Sequence, residues 1–124
     1  MGYADTYREI GLSTEVMGAD PWQQVKLLLD KLKACIVDAD KALTQQDIAL
    51  KCKKILRAHD IVIYLRESLN FEGDAVLAKK LDGIYGHMER LLFQANAKND
   101  QSLLSEAATI SQNLINWWTH VQSE

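Results

Sequence analysis

The sequence predicts an all-α chain, folded as an antiparallel up-down-up-down four-helix bundle behind a short N-terminal arm. Three observations carry that expectation. The 124 residues hold only six glycines and one proline, so the chain is built of a few long elements. From Val25 onward, apolar residues recur at intervals of three and four, the period of a helix with one buried face. No segment alternates with the period of two that a half-buried strand requires.

Residues 1–19 read differently from the rest. Gly2, Gly11 and Gly18 interrupt them, yet Tyr3, Tyr7 and Ile10 are spaced to share one side of a short helix. We expect a flexible arm with one apolar face, and a bundle over 20–124. The first long helix starts at Asp20-Pro21, with Asp20 as N-cap, Pro21 in the first helical position and Gln23 completing a capping box. Its inward stripe is Val25, Leu28, Leu32, Cys35, Ala39 and then Ala42 or Leu43, and it ends near Thr44-Gln45-Gln46.

The second helix runs from about Asp47 to Asn70, with Ile48, Cys52, Ile55, His59, Val62, Leu65 and Leu69 inward and Leu56 and Ile63 in a second row. Inside that stripe, His59 reads as a buried neutral imidazole, because no partner stands at ligand spacing. Phe71-Glu72-Gly73-Asp74 is the next turn and Asp74 the next N-cap. The third helix reaches about Lys98 with Leu77, Leu81, Ile84, Met88, Leu91 and Ala95 inward, and Tyr85 and Leu92 in a second row. Gly83 and Gly86, inside this helix, either admit a close backbone approach or sit exposed. Asn99-Asp100 breaks and caps again. The last helix carries Leu103, Ala107, Ile110, Leu114, Trp117 and Val121, a narrow seam of bundle type, with Trp118 at the edge of the apolar face. Similar lengths and short connections make neighbouring helices antiparallel.

Composition narrows the function classes. Hydrophobic residues at 48% and charged ones at 25% are ordinary for one globular domain. A net charge of -3 argues against nucleic acid, whose binders carry a basic excess. Lys51, Lys53, Lys54 and Arg57 cluster, but no aromatic residue interleaves them to stack on bases, and they read as a solvated helix face. No run approaches the roughly 20 apolar residues that span a bilayer. Met1 to Thr6 matches a myristoylation pattern in form only; no polybasic patch supports it, and neither a secretory signal nor membrane insertion is expected. Cys35 and Cys52 are offset by about three residues if the first two helices pair about Gln45, roughly 4–5 Å along the axis, which favours free thiols. A reducing cytoplasm suits this usage.

Catalytic patterns are missing. No Asp or Glu is followed by His three positions on, as a di-iron bundle needs, and there is no phosphate loop, Cys-x-x-Cys pair or Gly-x-Ser-x-Gly elbow. No enzyme, metal or cofactor is expected. What remains is apolar surplus on the second and third helices. Their second rows are either core that wraps towards another neighbour or a groove for an amphipathic partner segment. On the groove reading, the partner-facing residues are Leu56, Ile63, Tyr85 and Leu92, with Tyr3, Tyr7 and Ile10 from the arm.

At this point the pattern resembles a family. Asp20-Pro21 followed by Val25, Leu28 and Leu29 is similar to the proline-started first helix of the FliS flagellar export chaperones. Ala58 to Leu69 resembles their Ala-x-x-Ile-x-x-x-Leu-x-x-x-Leu stretch. Leu81-Asp82-Gly83-Ile84-Tyr85-Gly86-His87-Met88, continuing through Leu91-Leu92 to Ala95-Asn96-Ala97-Lys98-Asn99-Asp100, resembles their Leu-x-x-Leu-Tyr-x-x-Met followed by Ala-Asn-x-x-Asn-Asp. Tyr7 and a tryptophan at 117 or 118 match as well. The chain departs from the pattern at Leu29, Lys31 and the loop Glu72-Gly73-Asp74.

The resemblance implies a bacterial cytoplasmic chaperone. It would hold the disordered C-terminal segment of flagellin, prevent premature polymerisation and support export, as a monomer or weak dimer. Other flagellar export or regulatory proteins would be further partners. Two rival readings are a signalling or phosphotransfer bundle, using His87 with Arg90 one turn on, and a homodimeric structural bundle.

Overall fold

The structure, a computed structural model, describes residues 21–123. Tyr3, Tyr7, Ile10 and the capping role of Asp20 lie outside the described residues. Four helices follow one another: α1 (Pro21–Thr44), α2 (Ile48–Glu67), α3 (Ala75–Lys98) and α4 (Gln101–Ser123). Each packs on its chain neighbours, and α4 closes the ring against α1, with no strand among the described residues. This is the four-helix bundle that the sequence predicts. None of these helices is long and apolar enough to cross a membrane.

Local chemistry fixes the ends. Gln46 takes a left-handed φ of 60° after α1, and the amide of Asp47 donates to Ala42 O at 2.8 Å, closing the helix as a Schellman turn. Asp47 then caps α2, its carboxylate accepting from the Leu50 amide at 3.1 Å. Asp74 caps α3 in the same way, accepting from Leu77 at 3.0 Å. Asn99, at φ 53°, ends α3 in a conformation that asparagine tolerates better than most residues. Asp100 accepts from the amide of Ser102 at 2.9 Å to start α4, and its bonds to Ser102 hold its carboxyl below the usual range.

The core lies along α1. Leu28, Leu32, Ile36 and Ala39 are fully buried against Ile55, Ala58, Ile61 and Val62 of α2 and Leu104 and Ala107 of α4. Burying each larger aliphatic side chain is worth roughly 1.5–3 kcal/mol. Packing is most extensive between α1 and α2 and least between α3 and α4.

On α2, Ile55, Val62 and Leu65 are buried as expected, but other members of the stripe are not. Ile48 is 45% exposed, while His59 is half-buried on the flank facing α3, its Nε2 4.0 Å from Glu89 Oε1. The buried imidazole is therefore corrected to a half-exposed one beside a carboxylate. Ala58, Ile61 and Lys51 join Ile55, Val62 and Leu65 inside, so the buried face is centred to one side of the expected stripe. Lys51 is likewise corrected: it is 2% exposed, and its ammonium donates to Asn96 O at 2.9 Å and Asn96 Oδ1 at 2.8 Å. Of its neighbours in the basic run, Lys53 is exposed while Lys54 and Arg57 are half-buried, Lys54 pairing with Asp38 at 3.5 Å. Both cysteines are free, Cys35 buried with its thiol pushed up by that burial and Cys52 half-buried.

Candidate functional site

Because α3 and α4 pack least closely, an apolar groove of about 630 Å³ opens between them. Leu77, Lys80, Leu81, Gly83, Ile84 and His87 line it from α3, and Ile110, Asn113, Leu114 and Trp117 from α4. Leu81 and Leu114 form the floor at 9% and 6% exposure, while Ile84 stands 36% exposed on the wall. Each helix thus lends three apolar rungs spaced four and three, Leu77-Leu81-Ile84 and Ile110-Leu114-Trp117. Antiparallel pairing puts Leu77 and Trp117 at one end. At the other, His87 Nε2 meets Glu106 Oε1 across the helices at 3.4 Å.

The Trp117 end is tied to the start of α1. Trp117 and Trp118 have ring centroids 5.7 Å apart, and Trp118 lies tilted against Trp22 at 4.2 Å. The Trp118 indole Nε1 donates to Trp22 O at 3.0 Å. Aromatic contacts of this kind add roughly 0.5–1.5 kcal/mol beyond the area they bury.

The other flank of α3 is different chemistry. Arg66 of α2 donates from Nε to Asp82 Oδ1 at 2.6 Å and from Nη1 to Glu89, and these two carboxylates hold its guanidinium above its ordinary pKa. Gly86 makes room for it: a Cβ there would lie 3.2 Å from Nη1. A hollow of about 370 Å³ beside this network is lined by His59, Arg90, Phe93 and Gln94 among others, with Phe93 72% exposed.

The residues expected to face a partner are divided by the structure. Leu56 is 57% exposed and Ile63 half-buried. Tyr85 and Leu92 are 4% and 0% exposed in the core. They present no surface to a partner, because their row turns towards the bundle interior. The groove is lined instead by Leu77, Ile84, Ile110 and Trp117, which the sequence pattern assigns to the core stripe. Their spacing is that of buried residues, and the wide α3–α4 seam leaves them partly uncovered. Of the two glycines inside α3, only Gly83 lies at the groove.

The groove offers apolar surface, one ammonium, one imidazole and one carboxamide; among the described residues no carboxylate lines it. Nor do three His, Cys, Asp or Glu side chains gather as a metal site among those residues. His87, the histidine of the signalling reading, has the Glu106 carboxylate 3.4 Å from its Nε2. The arrangement is an apolar groove on the surface of a helical bundle.

Comparison with known proteins places the bundle. The profile of the family described as flagellar protein FliS matches residues 3–124. The flagellar secretion chaperone FliS of Vibrio cholerae is 28% identical over 123 residues, covering 99% of this chain and 90% of that protein. The chaperone of the same name from Salmonella typhimurium is 28% identical, covering 93% of this chain and 86% of its own length. The one from Escherichia coli K12 is 31% identical over 113 residues, 90% of this chain and 83% of that protein. The chain belongs to the FliS family of flagellar secretion chaperones.

Proposed function

We propose that this protein binds the disordered C-terminal segment of flagellin in the cytosol, keeps flagellin from polymerising early and supports its secretion. The observation that carries the reading is the α3–α4 groove, where side chains at core spacing stand half-uncovered. An amphipathic segment laid there would complete the core of the bundle, and burial of its apolar face would offset the entropy of ordering it. The reaction is binding alone, one to one, with no nucleotide or metal. Titration calorimetry with intact flagellin and with flagellin lacking its C-terminal segment tests it. Equal heats from both would refute the assignment.

Residues 1–19 enter the proposal as a cover. The contact of Trp22 with Trp118, itself against Trp117, sets the beginning of α1 beside one end of the groove. A preceding segment bearing Tyr3, Tyr7 and Ile10 could lie over exposed apolar surface, which a free protein otherwise presents to solvent. Two or three half-buried side chains are worth only a few kcal/mol, less the cost of ordering the segment, so a long client would displace it. Deleting residues 1–16 should leave the bundle folded, raise binding of a hydrophobic dye and tighten client binding. Unchanged dye binding and affinity would remove the cover from the account.

A further inference from the structure

One group of charges on the bundle is not balanced by its surroundings. Lys54 of α2 reaches across to Asp38 of α1 at 3.5 Å, and this contact sets the register of the two antiparallel helices. Arg57 lies three residues further along α2 and Lys31 seven residues back along α1. Both therefore stand to the same side of that pair, roughly 4.5 Å and 10.5 Å along the axis. Burial pushes the Cys35 thiol up, while Lys31, Lys54 and Arg57 all pull against it, and Asp38 is the one carboxylate among the charges that act on it. Three cations from two helices thus gather about one stretch of the α1–α2 seam. Lys54 has Asp38 as its counter-charge. Lys31 and Arg57 are half-buried and have no carboxylate partner among the described residues. Arg66, at the α2–α3 seam, has two. Like charges held side by side repel, and an anion between them removes the cost.

We infer that the α1–α2 seam is a docking surface in its own right, on which Lys31 and Arg57 receive an acidic segment of a partner protein. The axial separation of these two cations, roughly 6 Å, is the rise between carboxylates one helical turn apart in a peptide. Such complementarity steers a partner and fixes its register more than it adds raw affinity. Other anions fit less well. No aromatic side chain occurs within 31–38 or 51–57 to stack on a base, and the middle of two helices offers no free backbone amides to a phosphate. The four helices pack in a ring, so this seam lies across the bundle from the α3–α4 groove. A partner bound here leaves the groove open, and the bundle can hold a client and a second protein together. The inference does not depend on what fills the groove.

The test uses the full chain, isotopically labelled, and a short synthetic helical peptide with glutamates one turn apart along one face. Backbone amide shifts locate the contact and give the affinity at low ionic strength. The changes should centre on residues 31–38 and 54–57, and the affinity should fall as salt is raised. The double variant Lys31→Gln, Arg57→Gln should bind about tenfold more weakly, a change of about 1.4 kcal/mol. It should melt no lower than the parent, because it removes a repulsion and no ion pair. Shift changes spread alike over Lys79, Lys80 and Lys98, or a folded double variant that binds as tightly as the parent, would overturn the inference. So would a single-stranded oligonucleotide that binds the same residues at least as tightly. Peptide binding seen only after deletion of residues 1–16 would assign the seam to the chain's own Asp5, Glu9 and Glu15, and would overturn the assignment to a partner. Should the double variant fail to fold, either single substitution decides the question by the same two readouts.

Discussion

Lys51 shows how a polar side chain is accommodated in this interior. Its ammonium reaches the last turn of α3, where Asn96 supplies two oxygens and the helix dipole favours a cation. Its aliphatic stem fills core volume as a leucine would. Lys51→Met keeps the stem and loses both bonds, and should cost about 1–3 kcal/mol in urea denaturation. An unchanged midpoint would show that the bonds contribute nothing net. Tyr85 gives a pH signature. Burial pushes its phenol up to about 12, against an ordinary value near 10. The unfolded chain therefore loses this proton first. The stabilisation is whole below about pH 10 and lost as pH rises towards 12, amounting to about 2–3 kcal/mol at the far end. Tyr85→Phe should remove that alkaline loss, so the stability gap between the two proteins should change between about pH 9 and about pH 11.5. A constant gap would mean that the phenol is not buried in solution. Neither placement was readable from the sequence. Lys51 looked like one of four surface cations, and Tyr85 like part of a second, partner-facing row. Which of several neighbours turns inward depends on the facing helix, and a single sequence carries no direct record of it.

Most helix boundaries were legible because they depend on residues close in the chain, although α2 ends at Glu67, short of the expected Asn70. Asp47 and Asp74 cap by bonding amides three residues on, and Asn99 takes the left-handed turn. Asp74→Ala should lower stability by about 1 kcal/mol, seen as an earlier thermal midpoint; no shift would mean that packing alone sets the start of α3. The phase of each helix was less legible. On α2 and α3, apolar residues cover more than one face, so the period admits several rotations. Packing chose among them, turning Leu92 and Tyr85 inward and leaving Ile84 at the groove. The contrast can be measured. Leu92→Ala should cost about 2–5 kcal/mol, as large-to-small core changes do, and Ile84→Ala well under half of that. Ile84→Ala should instead weaken client binding. If the two substitutions cost the same stability, the groove is closed in solution and α3 packs against α4 along its whole length.

The whole molecule is asymmetric about its first helix. α1 is clasped by α2 and α4 through the most extensive contacts, while α3 is held more loosely on both flanks. One flank is closed by the charged fork of Arg66 over Gly86, and the other is left apolar and open beside Gly83. On the proposed function, the tight pair supplies stability and the loose seam supplies the apolar area that the client buries. The bundle class was legible from period and loop length, and the family from motifs spread along α2 and α3. The position of the groove was not, because its lining residues have the same spacing as a core. The most direct test is titration of the full chain with intact flagellin and with flagellin lacking its C-terminal segment, repeated with Trp117→Ala. We expect one-to-one binding of the intact protein, no measurable heat from the truncated one, and a clear loss of affinity in the Trp117 variant with little loss of stability. Equal binding of both flagellins, or full affinity in a folded Trp117→Ala chain, would contradict the account.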